Sequence, residues 1–583
     1  MLYVAFSASL LITSCESLLD EDPKYTANSK TIFSAKDGVE TVLNNNYGHL
    51  SSVYGFYLPV ATAGNGTSWG INQRLSAAYI SSASFNSFAE ESNFLAPTWK
   101  GLYKVIAESN YLIRGIDQSS LKDDYKEYVL AHAHFLRGVA YYKLANLFGK
   151  AIIHTEPITT ENLELPLSNR LDVYEEAIKD LSYAEEHLGK TEGGEVVGRA
   201  TKHSAQGFLA KTYWLMACHA QSDGQDASEY LNKSKKYGDL VINSGKYSLD
   251  NNYANLFKSH VGKSSESVFQ LNFSNANGPQ NRSNFYYGPQ ANFAISGAKS
   301  WGNICMDRAF YDFHKGTYSD DPRIKSIYMS KVALANGNEK MVYPYFSYRE
   351  NVDGKNEKKE FDLNNAPILN GDRKNPKYDL TQFPTQLLDV LKKAGRWNPN
   401  KDWFWPYNAK MADANTSATG YDTKNMIILR YADILLLMAD VENELGNKGV
   451  AVEYLNRVLS RARTSGGAKA VYPENVDNKI AQDALREKIF FERMFEMAGE
   501  PDLFEDVRRR GTEYLEKVID IHNNNYFVKY IISVQGGNPW VEYLINGGSV
   551  TNDFLKKNLL LPIPSKEINY NSKITQADQN FGY

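Results

Sequence analysis

The sequence predicts a mostly α-helical fold, a tetratricopeptide-like array of helical hairpins interrupted by an irregular, loop-rich insertion containing short strands. Three observations predict it. Apolar residues recur at steps of three and four through much of the first 244 residues, and the same period returns after residue 425. Between them, from about Gly245 to Asn425, the chain turns to Asn, Gly, Pro, Tyr and Trp and loses that period.

The N-terminal run Val4 to Ile12 is apolar but too short to span a bilayer as a helix, and Thr13, Ser14 and Cys15 follow it. This reads as a signal peptide over residues 1–14 that ends in a lipobox, with Cys15 left to carry the acyl chains. Helices are predicted over Trp99 to Ile116, Val129 to Leu147 with a stop at Gly149, Val173 to Leu188, Ser204 to Ala217 and Tyr230 to Ile242. Ala133, Gly138, Ala205 and Gly207 are small enough to let these helices approach closely, and the short connections favour stacked antiparallel hairpins. Inside the insertion one alternating strand stands out, Ser267 to Phe273. Helices are expected again over Ile427 to Leu445, Val450 to Arg463 and Asp483 to Met497. The expectation is one composite domain over 15–583, with a helical scaffold at about 30–244 and 426–583 and a binding insertion at about 245–425. An insertion of that length is too long for a bare loop, and loops carried on a rigid frame are where binding residues concentrate.

Composition narrows the function. With 64 Lys and Arg against 68 Asp and Glu, the net charge of -4 leaves no basic footprint, which argues against nucleic acid as a partner. The chain holds 39 Tyr, 27 Phe and 8 Trp beside a mean hydropathy of -0.46, so some rings are expected at the surface. Cys15, Cys218 and Cys305 supply no disulfide framework and no metal-ligand spacing. Cys218 lies in an apolar helical run and reads as a buried thiol, with a bridge to Cys305 left open.

No constellation of catalytic residues emerges. Glu492 and Glu496 share a helical face, but Arg493, Arg509, Arg430 and Asp433 offer them partners, so a packed polar network is expected there. His132 and His134, two apart on a helix, point to different faces and are not expected to share a metal. Asp320-Asp321-Pro322-Arg323 reads as a turn. The pattern G-x-x-x-x-G-K-[ST] does not occur, and no cofactor or metal is expected.

Several segments together resemble the SusD/RagB family of outer-membrane nutrient-binding lipoproteins. They are Gly198-Arg199-Ala200-Thr201-Lys202 with Phe208 to Tyr213, Arg430 to Ala439, Leu455-Asn456-Arg457-Val458 with Arg461-Ala462-Arg463, Pro562-Ile563-Pro564 with Glu567-Ile568-Asn569, and Gln579 to Tyr583. Glu492 to Glu500 with Asp506, Arg509 and Gly511 resembles a further motif, although Met494 and Leu503 stand where the family usually has Arg, Pro501 where it has Gly and Arg510 where it has Trp. The acidic stretch after Cys15, with Asp20, Glu21 and Asp22, looks like the export tag of surface lipoproteins in the Bacteroidetes. The resemblance implies a surface-exposed lipoprotein, held on the outer membrane by its lipid. It would capture an oligosaccharide without catalysis, as a lid over a SusC-like TonB-dependent transporter, with oligopeptide capture as the alternative.

A sugar presents an apolar C–H face and a hydroxyl edge, so its site needs flat rings beside amide or charged groups. Trp69 and Asn72 with Arg74 provide these types in a Gly- and Ser-rich segment, and the family's sugar site often includes a Trp in this region with an Asn three residues on. Tyr286 and Tyr287 beside Asn284, Trp301 beside Asn303, and Tyr343 and Tyr345 are the further candidates, while Trp403-Phe404-Trp405 reads as insertion core.

Overall fold

The structure is a computed structural model that describes residues 29–70, 85, 94–189, 198–258, 264–273, 281–289, 300, 302–333, 339–389, 405–412, 424–525 and 544–583. The first long helix, α1 (Lys36–Ser52), is followed by the three-residue strand β1 (Ser68–Gly70). The scaffold helices come next: α2 (Leu95–Asp117), α3 (Asp123–Phe148), α4 (Arg170–His187), α5 (Lys202–Ser222) and α6 (Ser228–Ile242). Each predicted helix of this region forms, and consecutive members pack against one another from α2 to α6. Their ends follow from local chemistry. The α3 helix stops where Gly149 turns to φ +73, a conformation that favours glycine. Asn169 caps α4 by accepting from the Asp172 amide at 3.1 Å, and Thr201 and Ser204 cap the start of α5 reciprocally. The small residues serve close approach as expected. A Cβ on Gly138 would lie 2.9 Å from Leu181 Cγ of α4, and one on Gly207 would lie 2.5 Å from Leu429 Cδ2.

The insertion begins and ends as a pair of strands. Antiparallel β2 (Ser267–Leu271) and Met426–Arg430 run side by side, with Leu271 opposite Met426, so the two ends of the insertion are fastened together. This corrects the expected helix over Ile427 to Leu445, whose first residues pair in this sheet; the helix itself starts at Tyr431. Within the insertion lie β3 (Ile304–Met306) and a ten-residue helix, α7 (Arg308–Thr317), that the sequence reading missed. It also missed a charged hairpin of β4 (Tyr345–Val352) and β5 (Lys355–Asp362), joined by Asp353 at φ +50 and Gly354 at φ +77.

Four C-terminal helices complete the frame: α8 (Tyr431–Glu444), α9 (Lys448–Thr464), α10 (Gln482–Glu496) and α11 (Thr512–Asn524). The α8 helix is buried from Tyr431 to Asn443 and packs on α6, α9 and α10, which makes it the centre of the molecule. Its acidic residues therefore meet cations of other helices. Asp433 takes Arg493 at 2.6 Å and Lys211 at 3.0 Å, and Lys211 and Arg493 hold its carboxyl well below the usual range although burial alone would raise it.

The end of α10 joins this frame to the insertion. The Glu496 carboxylate receives Arg430 at 2.6 Å, Arg323 at 2.8 Å and also Arg461. The Glu496 carbonyl accepts from the Tyr253 hydroxyl at 2.5 Å, Lys410 Nζ at 2.9 Å and Arg430 Nη2 at 2.9 Å. Burial drags Lys410 down to about 8, although Glu500 opposes it at 2.7 Å. The predicted turn at Asp320 to Arg323 thus has a structural task, because Arg323 is fully buried and also grips Asp321 at 2.7 Å and Glu492 at 2.6 Å.

Asp433→Ala takes one of two carboxylates from each of the buried cations Lys211 and Arg493, which keep Asp502 at 2.8 Å and Asp506 at 3.0 Å, so urea unfolding should show a loss of about 3 kcal/mol. Exposed Glu453→Gln should stay within about 0.5 kcal/mol of the parent chain.

Candidate functional site

Two of the predicted binding segments are brought to one place by the pairing of β1 and β3. The strands are antiparallel, with Ser68 opposite Met306, Trp69 opposite Cys305 and Gly70 opposite Ile304. The chain that leaves Gly70 toward Asn72 and Arg74 and the chain that enters Ile304 from Trp301 therefore meet the ribbon at the same end. Asn72, Arg74 and Trp301 themselves lie outside the described residues, as do Cys15, Trp403 and Phe404. Asn303 is fully buried, and Gly302 turns with φ +57.

The ribbon rests on a column of flat groups. Trp69 stacks on Trp405 at 5.2 Å and 15° and on His522 of α11 at 4.4 Å and 14°. The Arg308 guanidinium lies 4.3 Å from the Trp405 ring centroid. His522 Nδ1 lies 2.6 Å from Asp307 Oδ2, and Asp307 Oδ1 accepts from the Phe310 amide at 2.8 Å, capping α7. This overturns the expectation of an exposed Trp69. Its ring is 2% exposed and supports the ribbon from beneath, because two stacked partners remove more of its apolar surface from water than one sugar face could.

The tyrosines divide in the same way. Tyr286 and Tyr287, in the short helix Ser283–Tyr287, are buried and not the exposed platforms expected. Tyr286 packs on Phe56 at 5.7 Å and Phe94 at 5.4 Å, while the Tyr287 hydroxyl donates to the Pro59 carbonyl at 2.6 Å. Tyr343 is buried too, and its hydroxyl donates to Asp312 at 2.5 Å. Burial pushes the Asp312 carboxyl up to about 7, against the Tyr343 and Asn525 hydrogen bonds that favour its charged form. Tyr345 is half-buried at the start of β4, with Lys331 Nζ 4.8 Å from its ring centroid, and among the described candidates it is the ring that keeps solvent access. All four tryptophans among the described residues, Trp69, Trp99, Trp214 and Trp405, are buried, so the ring excess is spent largely on the interior; Tyr570 and Phe581 are rings that stand out into solvent.

The remaining candidates resolve as structure. Arg323 Nη1 bonds both Glu492 at 2.6 Å and Glu496 at 2.8 Å, and both carboxylates are fully buried. The expected polar network is present there, although its main cations for this pair are Arg323, Arg430 and Arg461, while Arg493 serves Asp433 and Asp506 and Arg509 faces Asp440. His132 lies 2.8 Å from the Tyr47 hydroxyl and His134 lies 2.6 Å from Asp180, so the two point apart as their spacing required. Cys218 and Cys305 are both buried and do not bridge each other, which closes that question, and burial pushes the Cys218 thiol up to about 12. Among the described residues no group of three His, Cys, Asp or Glu is placed to hold a metal, and no helix is long and apolar enough to cross a membrane.

Comparison with known proteins bears on the whole chain. A family model described as the SusD family matches residues 265–583, and one described as starch-binding, associating with the outer membrane, matches residues 19–214. A SusD-like protein P25 of Formosa agariphila is 26% identical over 529 residues, covering 85% of this chain and 87% of the relative. Among solved structures, a SusD homologue from Bacteroides thetaiotaomicron superposes with a TM-score of 0.71 at 19% identity, covering 95% of this chain and 98% of the other. A laminarin-binding SusD-like protein does so at 0.63 and 18%, covering 94% of this chain and 100% of the other. These likenesses agree with the helical array described above.

Trp69→Ala should lower stability by about 3–5 kcal/mol in urea unfolding, as loss of a buried ring requires and loss of an exposed one would not. Asp312, raised from 3.8 to about 7, contributes stability that is complete below its unfolded value and lost as pH rises through the folded one. The Asp312→Asn chain should therefore gain on the parent by about 2–4 kcal/mol between pH 4 and pH 8, read from urea midpoints at each pH.

Proposed function

The chain belongs to the SusD family, and from that premise we propose that it captures a nutrient glycan at the outer-membrane surface without transforming it. The observation that carries this reading is the convergence at the β1–β3 ribbon. The segments that bear Asn72, Arg74 and Trp301 join one end of it, and the ribbon is braced from below by Trp69, Trp405, His522 and Arg308. A site held on such a support loses little ordering entropy when it binds, which favours a weak-contact ligand such as a sugar. The laminarin binding of a structural relative and the starch-binding description of the N-terminal family model support the same ligand class.

Three finer points complete the proposal. Trp301 covers the apolar face of a sugar ring while Asn72 and Arg74 bond its hydroxyls, with Tyr345 as an outlying contact. The bound glycan passes to a SusC-like TonB-dependent transporter, over which this protein sits as a lid, and the lipid anchor at Cys15 keeps it concentrated there. Turnover is not part of the role, and the Glu492 and Glu496 pair is sealed beneath Arg323.

The test is calorimetric titration of the purified chain with a panel of neutral glucans, laminarin included, beside a panel of oligopeptides. At least one glycan should bind saturably with no new reducing ends. Trp301→Ala and Asn72→Ala should each weaken it about tenfold, the factor that corresponds to one good contact. Binding of peptides alone, or release of sugar that a carboxylate substitution abolishes, would overturn the reading.

A further inference from the structure

A cavity of about 350 Å³ opens between the start of α4, the end of α5 and the C-terminal segment. Its wall carries four cations, Arg170, Arg508, Lys556 and Lys557. None of them makes a salt bridge to a carboxylate among the described residues. The acidic groups in the wall do not answer them. Glu505 is engaged by Lys143 at 2.6 Å and by the Tyr142 hydroxyl at 2.8 Å, and Asp223 lies exposed at the end of α5. In a chain whose net charge is -4, such a local excess of positive charge asks for an explanation.

Arg508 makes the case specific. It is 5% exposed, and its Nε and Nη1 donate to the carbonyls of Asn558 at 2.7 Å, Gly64 at 2.8 Å and Phe504 at 3.1 Å. Its Nη2 is buried and donates to nothing among the described residues. The guanidinium also lies 3.5 Å from the Phe504 ring centroid. Carbonyls and a ring hold the group in place but bring it no full negative charge, and burial drags it down to about 9. The Glu496, Asp433 and Asp321 sites each pair their buried cations with carboxylates, which Arg508 does not have. The space beside it exceeds what an inorganic anion fills and falls within the range of small-ligand pockets.

We propose that this cavity binds an oxyanion, a sulfate, phosphate or carboxylate group, drawn by the uncompensated charge of Arg508 in its wall together with Arg170, Lys556 and Lys557. A planar guanidinium offers parallel N–H donors that suit these groups, and the outer cations add charge without needing fixed geometry. The group arrives either as a free inorganic ion or on an acidic sugar, and the two sources share this chemistry.

Calorimetric titration of the full chain with sodium sulfate, sodium phosphate, glucuronate and a sulfated N-acetylglucosamine, at ionic strength held constant with chloride, tests the proposal. At least one should bind saturably. Tighter binding of the sugars than of the inorganic ions would assign the site to an acidic saccharide, and the reverse order to a free ion; either result supports the oxyanion site. Arg508→Met should abolish binding, and because that chain may not fold, Arg170→Gln supplies the second variant. It should weaken binding about tenfold, as loss of one charge-assisted contact does, with an unchanged melting temperature. Trp301→Ala should leave this binding as it was, which separates the site from the glycan site proposed above. Absence of saturable binding by all four probes, or the same affinity in Arg170→Gln and Lys557→Gln as in the parent, would overturn it.

Discussion

Glu496 is one residue, at the last turn of α10, on which distant parts of the chain converge. Its carboxylate and carbonyl together receive Tyr253, Arg323, Lys410, Arg430 and Arg461. Tyr253, Arg323 and Lys410 come from early, middle and late stretches of the insertion, Arg430 from the strand that closes it, and Arg461 from α9. A helix C-terminus already presents partial negative charge, so cations gather there at lower cost than elsewhere in an interior. Such buried pairs add little over a well-packed apolar core, because each ion must leave water. Their effect is geometric: an apolar cluster tolerates sliding, whereas guanidinium forks accept few arrangements.

That clamp makes the rest of the site intelligible. An insertion with few long elements of its own acquires a fixed position against α10, and α7, which follows β3 directly, is held with it. From there the Asp307 cap orients His522, His522 stacks on Trp69, and Trp69 stacks on Trp405. Rigidity passes from buried charge to stacked rings to a two-stranded ribbon, and the ribbon end is where the proposed ligand contacts begin. A ring that is stacked and buried is unavailable to a sugar, which moves the expected contact from Trp69 to the segments beyond it.

The scaffold was readable in the sequence because amphipathic helices declare themselves by period and by their caps, as Gly149 and Thr201 do. Small residues at Gly138 and Gly207 marked close packing for the same local reason. The reading failed where long-range pairing decided the outcome. Ile427 to Arg430 carry a helix-compatible apolar pattern, yet they form a strand because β2, some 150 residues earlier, offers a partner edge. The β4–β5 hairpin did announce itself, through Asp353-Gly354, but its strands are so charged that no apolar alternation framed the turn. The α7 helix had a signal as well, the Asp307 cap ahead of Phe310, Phe313 and His314. Residue type alone could not tell an exposed Trp69 from a buried one, since a tryptophan in a Gly- and Ser-rich segment fits either, and its partners Trp405 and His522 lie hundreds of residues away.

The account stands on Glu496 and Arg323 acting as a single joint between frame and insertion. A double-mutant cycle with Arg323→Gln, Glu496→Gln and the combined change, read by urea unfolding, measures that joint directly. The account predicts a coupling of about 2–3 kcal/mol, the range for residues sharing one buried network. Losses that add to within about 0.5 kcal/mol would mean that the two side chains act independently, and the joint would not exist.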